Sequence, residues 1–358
     1  MDKQWNGHIN LLIPMILATI GFFSEGFAQD ISGGYNKQNN KLDYDSIYIQ
    51  TFPNHITGRV YLSQKYTDLE IEDEVEDVSI YYSPNTTLNL GVGFTVKSVS
   101  LNLAYGFSFL NPDEGRGKTR YLDLQSHIYT REWIVDIFGQ FYSGLYLENT
   151  IELNPEYHEP FYRRSDLNEI IIGGSAFYVV NNREYSFRAG LIQNERQLKS
   201  AGSLLFGMES YLGKVSGDST IVPYFSSAEA FGDARHAHTI TFAKIGPSAG
   251  YAHTFVLDRR FFLMLSLSLN LSYGVHTSTN SDTQIAEEAI DIGAFGRFAL
   301  GYNDQNWYLG LSTVNNNIAA SSDDRRMFAQ FGIGNVRLNF AKRILPGKKL
   351  KKIVAKIP

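Results

Sequence analysis

Seven ionisable side chains are the first residues to ask about chemistry: Asp123, His127, Asp136, Arg188, Glu209, Asp291 and Arg297. Carboxylates near an imidazole or a guanidinium can form ion pairs, line a polar pore or hold a charged solute. Other pairs are weaker candidates. His127 follows Ser126, and His253 precedes Thr254, but neighbours on a strand face opposite sides, so neither is a catalytic pair. A triad assembled from distant residues stays open. His236 and His238, two apart, would share one strand face, and a metal would need a third ligand that the sequence does not name. Residues 68–77 hold seven acids in ten positions and lack the spaced Asp/Asn-Gly pattern of a calcium loop. No catalytic, cofactor-binding or metal residue is assigned, and no cofactor is expected.

The elements that carry the seven residues are strands. Leu88, Leu90, Val92, Phe94 and Val96 alternate with Asn89, Gly91, Gly93 and Thr95. After Lys97 and Ser98, Val99, Leu101, Leu103, Tyr105, Phe107 and Phe109 alternate with small or polar residues. Leu263, Leu265, Leu267, Leu269 and Leu271 alternate with Ser266, Ser268, Asn270 and Ser272. Period two puts all the large apolar chains on one face. Runs of about ten residues joined by tight turns match membrane-crossing strands and exceed the usual ~5–6 of a sandwich. A charge facing lipid costs roughly 2–4 kcal/mol at the midplane, so the seven ionisable residues belong to the lumen face. There they either line a pore or binding site or, more simply, form salt bridges that stiffen the wall. The lumen phase is otherwise Gly, Ala, Ser and Asn rather than rings of charge, which points to a narrow or filled interior.

The expectation is an all-β, antiparallel transmembrane β-barrel of about 14 strands, with 12 as the alternative and both termini periplasmic. The count of 14 needs a first strand at 56–68 and a short strand at 220–226, the latter weakened by Pro223. Short turns at 97–98, 131–132, 181–184, 257–260 and 303–306 are assigned to the periplasm. Long loops at 110–118, 148–167, 193–201, 272–286 and 316–326 are assigned to the outside. Trp133, Trp307, Tyr105, Tyr121, Tyr146 and Tyr302 fall near strand ends, where an aromatic girdle would sit.

Composition agrees. The chain has 358 residues, 31 Gly, 22 Tyr, 24 Phe and no Cys, with a formal net charge of -5. Zero cysteine removes disulfides, thiol nucleophiles and Cys-ligated metals. The mild acidity speaks against a nucleic-acid partner. Lys3, an apolar run at 11–23 and the small residues Gly26 and Ala28 read as a signal peptide over 1–28. Thirteen residues of helix reach about 20 Å, short of the hydrocarbon core. Residues 29–54 are a polar periplasmic segment, 55–341 the barrel, and 342–358 a basic periplasmic tail with seven Lys/Arg and no acid.

Tyr82 to Thr87 (YSPNTT) with Gly91, Val92, Gly93 and Phe94, Arg120 to Asp123 (RYLD), and Gly246 to Tyr251 (GPSAGY) resemble a family of Bacteroidota outer-membrane barrels known only as a domain of unknown function. The likeness spans about 45–342. It implies fold and location and supplies no site residue. Pro84 and Pro247 are expected at a bulge or a strand start. The functional expectation is a non-enzymatic barrel in the bacterial outer membrane after signal-peptide cleavage. It would be a restricted small-solute pore or a structural or assembly component; an outer-leaflet lipid-modifying enzyme is the alternative. The expected partners are membrane lipid, lipopolysaccharide and a periplasmic protein bound by the tail.

Overall fold

The structure is a computed structural model that describes residues 35–36, 41–96, 99–112, 114–227, 229–280, 283–321 and 327–347. The signal peptide expected over 1–28 and most of the basic tail expected over 342–358 lie outside the described residues, as do Lys97 and Ser98. A short hairpin, β1 (Tyr35–Asn36) and β2 (Lys41–Leu42), precedes β3 (Ile49–Thr51). The wall then begins with β4 (Ile56–Asp73), β5 (Val78–Pro84), β6 (Leu88–Val96), β7 (Val99–Tyr105), β8 (Arg120–Tyr129), β9 (Trp133–Leu147) and β10 (Tyr162–Val179). After the inner strand β11 (Glu195–Gln197), it continues with β12 (Ala201–Ser216), β13 (Thr239–Leu257), β14 (Phe261–Thr279), β15 (Gln284–Asn303), β16 (Trp307–Ser321) and β17 (Phe328–Ile344).

Ten of these strands close an antiparallel ring, because β17 pairs with β4 from Ile344↔Ile56 to Phe328↔Glu72. Closure leaves those edges without unpaired backbone groups, the condition for crossing a bilayer with strands. The alternation behaves as expected. Leu263, Leu265, Leu267, Leu269 and Leu271 are exposed on the outside, while Ser266, Ser268, Asn270 and Ser272 are buried inside. No described helix is long and apolar enough to cross a membrane.

One sector of the wall is branched. At one level β5 alone lies between β4 and β9, pairing Tyr82, Ser83 and Pro84 with Leu147, Tyr146 and Leu145. Below Pro84 the chain leaves β9. β6 stays on β4, the hairpin β6–β7 is added, and β9 takes β8 as its neighbour instead. Gly144 is the branch point on β9: its φ of 85° is left-handed, and a Cβ there would lie 2.6 Å from the Lys118 carbonyl oxygen. Among the described residues no ladder joins β7 to β8.

The short strand at 220–226 that a count of 14 needs is corrected: those residues form no strand, and Ile221 and Val222 are buried inside the barrel. Among the described residues the sheet contains 13 strand segments. A short apolar run looks alike whether it builds the wall or fills it. Residues 193–201 are also corrected. They lie at the short-turn end, within a long inward connection from β10 to β12, and the long loop over 272–286 contracts to the turn between β14 and β15. The barrel also runs past 341, since Lys342, Arg343 and Ile344 remain in the β17–β4 ladder. Pro84 ends β5. Pro247 sits where the β13–β14 ladder skips two positions without a register shift, so it marks no bulge.

Candidate functional site, a polar layer between two plugs

The connection from β10 to β12 turns inward and fills the short-turn end. Ser186 caps the helix Phe187–Leu191 by accepting from the Ala189 N–H, and β11 then pairs with β3. Tyr185 and Phe187 pack with Phe177, Phe262, Met264 and Tyr308. The opposite end is filled by residues 217–238, whose Ile221, Val222, Ala230 and Phe231 join a cluster with Tyr82, Tyr211 and Phe331. This plug is pinned by Asp73, which accepts from the Phe231 N–H at 2.6 Å, and by Tyr82, whose hydroxyl donates to Ile221 O at 2.7 Å.

Between the plugs lie buried charges. Asp136 accepts from Arg297 Nη2 at 2.5 Å and from Tyr129 Oη at 2.8 Å, and lies 2.6 Å from His127 Nδ1. The Arg297 guanidinium also lies 3.5 Å from the Phe295 ring centroid, with Phe177 and Phe187 at 5.5 Å. Asp123 sits apart from this group and takes Lys65, Gln140 and Tyr142, each at 2.9 Å. Glu209 accepts from Ser248 at 2.8 Å and from Tyr211, whose oxygen in turn accepts from Asn316. Asp291 pairs with Lys244 at 3.2 Å.

The structure therefore brings His127, Asp136 and Arg297 together and places Asp123, Glu209 and Asp291 in the lumen with other partners. Arg188 is corrected: it lies on the short helix rather than a strand, 3.6 Å from Glu195, which Arg131 holds at 2.5 Å. His236 and His238 are corrected too. His236 ends a 3-10 turn (Gly232–His236), and His238 precedes β13. Among the described residues no cluster of three His, Asp or Glu side chains stands ready for a metal. His253 faces outward, between Tyr251 and Phe255, while Thr254 is buried. Tyr146 is buried and does not belong to the girdle, whereas Trp307 stacks on Phe340 and Trp133 packs edge-on against Tyr178.

Most of these charges are neutralised in pairs. Asp136 takes three partners, two on one carboxylate oxygen and Arg297 on the other. Sequence reasoning missed Arg59, Lys65, Lys244 and Arg337, although the same alternation places them on the lumen phase of β4, β13 and β17. It also missed Glu195 and Arg131, which no alternation marks, because one lies in the plug and the other in a turn.

Solved structures match the chain at low identity and low TM-score. The outer membrane protease OmpT from Escherichia coli is 8% identical, with 82% of this chain and 98% of that chain covered and a TM-score of 0.36. The translocator domain of the autotransporter NalP from Neisseria meningitidis is 10% identical, covering 96% and 98%, with a TM-score of 0.32. The Pseudomonas putida toluene transporter TodX is 7% identical, covering 83% and 92%, with a TM-score of 0.23. No curated protein matches the chain. Residues 43–343 match the family described as a domain of unknown function, DUF4421, nearly the span over which the sequence motifs suggested a family likeness, and the chain belongs to that family.

Proposed function

We propose that this protein is an outer-membrane barrel with an occluded lumen, a structural or ligand-holding component of the envelope rather than a diffusion pore. The observation that carries the reading is the filling of both ends by the chain's own residues, 180–200 at one and 217–238 at the other. The bilayer assignment is supported by the outward row of leucines on β14 and by ring closure. In barrels of this kind the short turns face the periplasm, which would put the start of β4 and the end of β17 there. A Gram-negative envelope follows from that location. Buried salt bridges in a filled lumen favour rigidity over conduction, because an ion would have to displace paired charges and two apolar layers. Planar-bilayer recording of the purified protein is expected to show no discrete conductance steps. Reproducible ohmic steps would overturn the occluded-lumen reading.

A further inference from the structure

The inward-facing cations differ in what neutralises them, and Arg196 and Arg343, beside the plug, bond backbone carbonyls. Arg297, Lys65, Lys244 and Arg164 each have a carboxylate within 3.2 Å. Arg59 and Arg337 pair with no carboxylate among the described residues. Arg59 is buried and donates one bond, to Thr95 on β6; Arg337 stacks on the Tyr61 ring at 4.8 Å. The Nε of each is shut from solvent without a partner, and so are both amide atoms of Asn339, which is 1% exposed. These groups share one patch. Asn339 stands opposite Tyr61 in the β17–β4 ladder, and the two arginines flank that row, Arg337 two rows to one side and Arg59 two rows to the other. Guanidinium groups away from any carboxylate, beside a buried amide with no partner, carry a free-energy cost that a bound anion would relieve.

The patch lies behind the branched sector. From β4, where Arg59 sits, β6 and β7 follow, and then the open edge, about 10 Å away at the usual strand spacing. Along that edge, among the described residues, β7 and β8 lack a common ladder, and Asn102, Leu103, Ala104 and Tyr105 are exposed on both faces of β7. On the facing strand Ser126, His127 and Ile128 are exposed as well. Unpaired strand edges in hydrocarbon are costly unless something polar meets them. The outer lips are apolar: Leu103 and Tyr105 on one side, Leu122 and Leu124 on the other. The slot is closed at one end, where β5 pairs with β9.

We propose that the slot between β7 and β8 is a lateral doorway through which the anionic head of a membrane lipid reaches Arg59, Arg337 and Asn339 while its acyl chains stay between the apolar lips. A phosphate monoester suits two guanidinium groups and an amide donor, since guanidinium and phosphate match as bidentate partners. The proposal rests on the bilayer placement above but not on the absence of conductance.

Native mass spectrometry of the full chain in detergent tests it, with dioleoyl phosphatidic acid as probe and dioleoyl phosphatidylcholine and inorganic phosphate as comparisons. One phosphatidic acid adduct per chain is expected, with far less phosphatidylcholine. The double variant R59Q/R337Q is expected to lose about tenfold or more in occupancy, the scale of one charge-assisted contact. R59K/R337K keeps the charge but loses the bidentate fork and is expected to bind more weakly than the parent while still preferring phosphatidic acid; occupancy equal to the parent's would overturn the guanidinium assignment, which holds the test open if the glutamine variant fails to fold. Equal binding of both lipids, or undiminished binding by folded R59Q/R337Q, overturns the proposal. Competition by inorganic phosphate at equal concentration overturns the lateral route by showing a free anion to be the ligand. A dimer that excludes lipid would assign the open edges to a second copy and overturn it as well. Conductance steps with lipid binding intact would instead sink the occluded-lumen reading and leave this one standing.

Discussion

Asp136 on β9 and Arg297 on β15, 161 positions apart in sequence, meet inside the barrel at 2.5 Å, and both are almost completely buried. The pair ties opposite parts of the wall together through the layer between the plugs. Removing one partner strands the other charge, whereas removing both need not. R297M is expected to destabilise the folded barrel by about 3–5 kcal/mol, and D136N to act in the same direction. The double variant D136N/R297M should recover much of the loss. Urea unfolding in micelles, followed by the gel shift between folded and unfolded forms, measures all three. Additive losses would show that the two side chains act independently.

The occluded lumen predicts an order in which the plugs matter. Deleting 220–236 removes Ile221, Val222, Ala230 and Phe231 from one end only. Bilayer current is expected to stay at baseline, because Tyr185 and Phe187 still fill the other end. Deleting 182–198 as well should produce conductance steps. Steps from the first deletion alone would mean that the second plug does not seal.

Gly144 is expected to tolerate no side chain. Its φ of 85° and the Lys118 carbonyl 2.6 Å from a Cβ both oppose substitution. G144A should cost about 1–3 kcal/mol, the usual scale of forced backbone strain. Gly139 on the same strand offers a control: a Cβ there meets only the Phe141 ring at 3.5 Å. G139A should be much milder in the same unfolding assay, and equal losses would remove Gly144 from its role as the branch point.

Asp304 in the β15–β16 turn accepts from the Asn306 and Trp307 N–H groups at 2.7 Å each and from Tyr302 at 2.9 Å. Burial works against its ionised form, but the bonds from Trp307, Asn306 and Tyr302 outweigh burial and hold the carboxyl below its ordinary value of 3.8. A lowered value in the folded state means that the contribution is complete above the ordinary value and is lost as pH falls through the lowered one. D304A is expected to cost about 1 kcal/mol at neutral pH. The gap between variant and parent should shrink only below about pH 4. A gap that closes already near pH 6 would assign the effect to another group.

The wall was legible before any coordinates. Leu263 to Leu271 and their serine neighbours carry a period of two that only a strand satisfies, and the phase of that period placed Asp123, Asp136, Glu209, Asp291 and Arg297 inside. Pro223 already weakened the strand proposed at 220–226, and those residues indeed fill the lumen. Arg188 was misread for a related reason. The segment around it offers apolar residues, and burial inside a barrel asks for the same residue types as burial in its wall.

By itself, then, the sequence determined the strand periodicity, the lumen phase of the charged residues and the family motifs, because these depend on neighbours one or two positions apart. Only the tertiary structure decided which charges meet, which segments become plugs and where the wall is left open. Asp136 finds Arg297, and among the described residues β7 shares no ladder with β8, through ring closure and the branch at Gly144. Those are relations between residues far apart along the chain, and a local pattern of apolar and polar residues is the same whether a strand edge is paired or bare.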